Sequence, residues 1–120
     1  MKKILLFFLL FTFSGCDIVE VETKGIIKNL RFSPSAFDPY RGNTKIRYSL
    51  SKSATVTIWI ERDEKLVRNI ATDIKETQGT HEHSWLGGDN TQHFVSVGTY
   101  IGVVVTGDER GEATVEVFHW

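Results

Sequence analysis

The apolar residues of this chain recur at every second position, and that period limits what it can fold into. In Thr44-Lys45-Ile46-Arg47-Tyr48-Ser49-Leu50, an extended backbone puts Ile46, Tyr48 and Leu50 on one side. Lys45, Arg47 and Ser49 take the other. Thr55 to Glu61 repeats the pattern, with Val56, Ile58 and Ile60 inward and Thr55, Thr57 and Trp59 outward. Glu112 to Phe118 does so again through Ala113, Val115 and Val117. Tyr100 to Thr106 is apolar on both sides, as a strand covered on both faces would be. Weaker strands are expected over Ile26–Phe32, Leu66–Ile70 and Thr80–Trp85.

Turn residues separate these runs: Ser33-Pro34, Arg41-Gly42-Asn43, Ser51-Lys52-Ser53, Arg62-Asp63-Glu64, Gln78-Gly79, Gly87-Gly88-Asp89-Asn90, and Gly107 to Gly111. No stretch of useful length has a helical period. The expected fold is therefore all-β: an immunoglobulin- or fibronectin-III-like β-sandwich of about seven antiparallel strands, with a barrel as the alternative. Trp85, Tyr48, Phe32, Tyr100 and the Val/Ile set would form the core. Each large side chain, if fully buried, contributes ~1.5–3 kcal/mol.

The first residues follow different rules. Met1-Lys2-Lys3 is a short basic start, and Ile4 to Phe13 is an apolar run broken only by Thr12. The run is too short for a bilayer span, which needs ~20 residues, and fits the apolar centre of a signal peptide. Phe13-Ser14-Gly15-Cys16 then places small residues before the only cysteine of the chain. The segment resembles the bacterial lipobox, with Phe13 in place of the usual Leu.

That resemblance implies cleavage between Gly15 and Cys16. It also implies lipidation of Cys16 by a diacylglyceryl group and a palmitate-type acyl chain. Two or three chains, at ~0.8 kcal/mol per buried CH₂, anchor firmly where one would be marginal. The implied organisation is a signal peptide over 1–15, a lipidated Cys and acidic tether over 16–24, and a sandwich domain over 25–120. Ile18-Val19-Glu20-Val21-Glu22 also alternates, so an extra first strand is the competing reading of the tether.

The expected location is the cell membrane or outer membrane, lipid-anchored and facing the periplasm or the surface. Asp17 points weakly to the inner membrane. Cleavage removes Lys2 and Lys3, leaving 12 of the 14 basic side chains against 15 acidic ones, a net charge of −3. A mildly acidic domain gives no footprint for nucleic acid, and none is expected as a partner. The 120 residues, less the 15 of the signal, leave room for one domain.

Within the domain the order of features resembles the immunoglobulin-like domain of the flagellar hook-capping (FlgD) family, over roughly residues 28–118. The matching residues are Phe32-Ser33-Pro34, Thr44 to Leu50, Ala54 to Ile58, Leu66-Val67-Arg68, Gly79-Thr80-His81, Ser84-Trp85-Leu86-Gly87-Gly88-Asp89 and Val97-Gly98-Thr99-Tyr100. The chain departs from the family pattern at Leu86, at Asn90-Thr91 and in the loop Gln92–Val97. The resemblance implies a non-catalytic module of adhesion or assembly and does not imply a flagellar role, because the scaffold segment of a hook cap is missing.

Few residues point to chemistry. His81 and His83 stand at i and i+2 on one face of a strand, the spacing of a metal pair, with His93 as a third candidate. The inward parity of Trp85 places His83 against the core edge and His81 nearer the rim, so a structural role is the stronger expectation. No nucleophile-elbow signature occurs, and neither an enzyme nor a cofactor is expected. Gly87-Gly88-Asp89-Asn90 lacks the alternating acids of a calcium loop and reads as a tight turn.

Trp59 and Trp120 are candidate contacts for an envelope protein or a glycan. The bland alternative is that they cover a sheet face or pair with other aromatics. The loop Asp89–Val97 is a third possible contact, in the manner of a protease-inhibitor loop.

Overall fold

The structure, a computed structural model, describes residues 25–119. The expected signal peptide, Gly15, Cys16, the 16–24 tether with its alternative strand, and Trp120 all lie outside the described residues. Eight strands and no helix make up the described part: β1 (Ile27–Ser33), β2 (Ala36–Phe37), β3 (Thr44–Leu50), β4 (Ala54–Arg62), β5 (Lys65–Glu76), β6 (Gly79–Trp85), β7 (Gly98–Thr106) and β8 (Glu109–Val117). They form a three-stranded sheet, β1-β3-β6, and a five-stranded sheet, β2-β8-β7-β4-β5.

All pairings are antiparallel except that of β2 with β8, which is parallel. This corrects the expectation of about seven antiparallel strands: β2 is an additional two-residue strand, too short to show a period. β5 also runs well past the expected Leu66–Ile70, and β8 starts at Glu109 rather than after Gly111.

The two sheets meet over one core. Phe32, Ile46, Tyr48, Leu50 and Trp85 come from the smaller sheet. Val56, Ile58, Ile60, Tyr100, Val104, Val115 and Val117 come from the larger one. All are nearly or fully buried, as the alternation predicts. Gly102 lets the sheets close, since a Cβ there would sit 2.5 Å from the Phe32 ring and 2.8 Å from Ile46. β7 is central, between β8 and β4. Its outward Val103 is fully buried although it stands apart from the inter-sheet core. Register places it directly between Trp59 of β4 and Glu112 of β8.

Strand direction gives the sandwich two unlike poles. Gly25 enters at one, the proximal pole, beside the short connections Ser51-Lys52-Ser53, Thr77-Gln78 and Gly107-Asp108. Ile26 and Ile27 donate their backbone N–H groups to the two carboxylate oxygens of Glu109, at 2.7 and 2.8 Å. The distal pole gathers residues 34–43, the Asp63-Glu64 turn, residues 86–97 and the segment after β8.

Candidate binding surface

The distal loops are held by polar contacts, and these leave large apolar side chains outside. Trp85 ends β6 with its ring in the core, edge-on to Phe37 and Tyr100 at 5.5 and 5.6 Å between centroids. Its indole N–H donates to the carbonyl of Gly88 at 2.9 Å, which fixes the start of the loop. Gly87 turns the chain at φ 87°, and a Cβ there would meet Pro39 at 2.6 Å.

Asp89 organises the loop tip. Its Oδ1 accepts from the Thr91 N–H at 2.8 Å, the Thr91 hydroxyl at 2.7 Å and the His93 N–H at 3.0 Å. The Thr91 hydroxyl bond first, then the His93 backbone bond, hold the Asp89 carboxyl below the ordinary aspartate range. Asn90 next docks the loop on the edge of β5: its N–H donates to the Val67 carbonyl, and its Oδ1 accepts from the Asn69 N–H, both at 3.0 Å. This caps part of an edge strand that would otherwise offer its backbone to other chains. Arg62 holds the loop's end through Ser96, the Val97 carbonyl and the Tyr100 hydroxyl.

Among the described residues, the large apolar side chains left exposed are Tyr40, Leu66, Leu86, Phe94, Val97 and Phe118. Every one belongs to the distal pole. Phe94 is 48 % exposed and stands between two open hollows. One, of about 450 Å³, lies against Arg62, Leu66, Val95 and Tyr100. The other, of about 430 Å³, lies against Arg68, Ile70, Leu86 and Gln92. Tyr40 packs edge-on to Phe94 at 4.6 Å and against the His119 ring at the same distance. Buried Asp38 supports this corner, accepting from the Tyr40 N–H at 3.0 Å and lying 3.5 Å from His119. A knuckle of apolar side chains flanked by two hollows is a shape that a partner's side chains can fill.

Of the residues singled out in the sequence, His93 and the loop Asp89–Val97 belong to this pole, whereas Trp59, His81 and His83 fall elsewhere. Trp59 does face outward, but it is only partly exposed. Its indole N–H donates to Glu61 at 2.9 Å, and the Arg110 guanidinium lies 5.7 Å from its ring centroid. Arg110 in turn pairs with Glu112 at 2.7 Å and Glu61 at 3.3 Å. Trp59 thus lies beside Val103 in register, with the Arg110 ion pairs over its ring.

His81 and His83 point inward at the rim, paired in register with Tyr48 and Ile46. Glu76, from the end of β5 in the other sheet, reaches this rim. The Tyr48 hydroxyl donates to its Oε1, and His83 Nε2 lies 2.8 Å from its Oε2. Burial first, then the bond to Glu76 and its charge, push the Tyr48 phenol far above its ordinary range. The His81 Nε2 is taken by the Thr77 carbonyl at 2.6 Å, and His93 sits in the distal loop on the Thr91 hydroxyl. Among the described residues, no three His, Cys, Asp or Glu side chains converge as a metal site. The histidine cluster is a polar clasp between the two sheets.

The sequence marks part of this surface, the loop Asp89–Val97 with Phe94 and Val97, as a possible contact, but not Tyr40 or Leu86, which lie outside any periodic run. The excess of large apolar residues in what otherwise reads as a turn, at Leu86 and Phe94, was the available signal. In comparison with known proteins, no family model matches this chain. No curated protein matches it either.

Proposed function

We propose that the chain is a lipid-anchored protein of the bacterial cell envelope. In this reading its immunoglobulin-like domain, of the kind found in the flagellar hook-capping family, binds another protein through the distal pole and does no catalysis. The observation that carries the binding role is that, among the described residues, all six exposed large apolar side chains segregate to the pole opposite Gly25. A fold of this size has no need to expose them together. Support for the anchor is the Phe13-Ser14-Gly15-Cys16 sequence behind a short apolar run. Support for the domain type is the two-sheet arrangement with an inward Trp85 closing on the loop that follows it.

The anchor is tested by fatty-acid incorporation in cells, which should occur in the native protein and be absent in Cys16→Ala. Binding is tested with a photo-crosslinking amino acid at position 94. A discrete cross-linked species is expected, lost when Leu86→Asp is added. The same species persisting in that variant, or forming equally from a probe at position 52 on the proximal pole, would refute the assignment.

A further inference from the structure

The outer face of the three-stranded sheet carries a charge pattern that the fold does not require. Its outward positions are Lys28, Arg31 and Ser33 on β1, Lys45, Arg47 and Ser49 on β3, and Thr80, Glu82 and Ser84 on β6. Four cations thus face one acid. Arg31 and Arg47 are direct cross-strand partners, a like-charge placement that works against pairing. Lys45 and Arg47 share Glu82, at 3.2 and 3.3 Å. Lys28 and Arg31 have no acidic partner among the described residues. The face has no large apolar side chain.

This stands out against the rest of the domain. Residues 25–119 hold 11 basic and 12 acidic side chains: the chain's 14 and 15, less Lys2, Lys3 and Lys24, and less Asp17, Glu20 and Glu22. With an excess of three positive charges on one face, the remainder carries an excess of four negative ones. The outer face of the five-stranded sheet has Glu61, Asp73, Glu112 and Glu116 against Lys75 and Arg110.

We propose that the basic face rests on anionic lipid headgroups. The setting, though not the charge pattern, depends on the lipid-anchored reading. β1 is both the first strand after the tether and an edge strand of this very sheet, so the face lies beside the point of attachment. Nine residues from Cys16 to Lys24 span at most about 30 Å, enough for the sandwich to lie on its side. The acidic face is then about 10 Å of sheet spacing, plus its own side chains, further from the surface. That exceeds the Debye length at 0.1 M salt, so its repulsion is screened while the near cations are felt. A flat face without apolar side chains contacts headgroups and does not insert. Attraction of this size is weak for a free domain. For a tethered one it sets orientation, because the anchor already supplies a high local concentration. The distal pole then projects sideways, clear of the bilayer.

The test uses the chain beginning at Asp17, which keeps every described residue and lacks the anchor, so it is blind to whether Cys16 is lipidated. Sedimentation with vesicles of phosphatidylcholine, with and without one third phosphatidylglycerol, is compared at low salt. Binding to the anionic vesicles alone is expected, and it should disappear at physiological salt. Lys28→Gln with Arg31→Gln should reduce it about 25-fold, near fivefold per charge, with folding unchanged. Glu112→Gln with Glu116→Gln on the opposite face should change it less than about twofold. Equal binding to both vesicle types, an undiminished Lys28/Arg31 variant, or preference for a soluble polyanion such as polyphosphate over the vesicles would overturn the proposal. Absence of fatty-acid labelling at Cys16 would refute the anchor and leave this result standing.

Discussion

The two poles of the sandwich are built by different rules. At the proximal pole, strands are joined by two or three polar or small residues, Ser51-Lys52-Ser53, Thr77-Gln78 and Gly107-Asp108. Such turns are about as short as β connections become. At the distal pole, residues 86–97 make a long excursion, pinned by Trp85, Asn90 and Arg62, that displays Leu86, Phe94 and Val97. The short turns show what the fold alone needs. The distal loops exceed that need while being held as firmly, which is the pattern of a surface kept in shape for contact.

Trp85 serves both the core and the distal loop. Trp85→Ala should cost about 3–5 kcal/mol in denaturant unfolding, a loss no proximal-turn substitution should approach. Gly87→Ala comes next, since it places a Cβ against Pro39 at positive φ. About 1–3 kcal/mol is expected, and a similar loss at Gly42, where a Cβ meets nothing within 4 Å, would contradict the argument. Asn90→Ala should cost about 1 kcal/mol and act locally: amide exchange should quicken at Asn69, while the β3–β6 pairing keeps its protection.

Strong acid should loosen the distal loop. The Asp89 carboxyl is held below its ordinary range when folded, so its contribution is complete above the unfolded value. It is lost as pH falls through the folded one. Amide chemical shifts of Thr91 and His93 should report this, and Asp89→Asn should abolish the transition. The smallest stability effect belongs to Phe94→Ser, within about 0.5 kcal/mol, although it should remove the distal-pole cross-link altogether.

Much of the fold was legible because burial imposes a period of two. Val56, Ile58, Ile60 and the β3 set went inward as the alternation required. β5 was truncated in the reading because bulges break its register with β4 near Ile58 and Ile60, and Asp73 turns to φ 50°. A strand that slips its phase shows no phase in sequence. The inward parity of His83 was visible, but its partner Glu76 belongs to the opposite sheet, and only the closed sandwich brings them together. Trp59 was rightly placed outward. Its cover is Arg110 of β8, 51 positions away and two strands over, and an outward position does not reveal whether another strand supplies a lid.

The carboxylate of Glu109 has a mechanical consequence. It receives the amides of Ile26 and Ile27, next to Gly25 where the described residues begin. A pull applied at Gly25 meets this two-pronged grip together with the Ser51 bonds to the Gly25 and Ile26 carbonyls at the head of the β1–β3 ladder. Glu109 also begins β8, next to the central strand β7, so the load passes at once into both sheets rather than peeling β1 from its edge. In a molecule worked from its N-terminus, Glu109 is the shackle that spreads strain through the whole body.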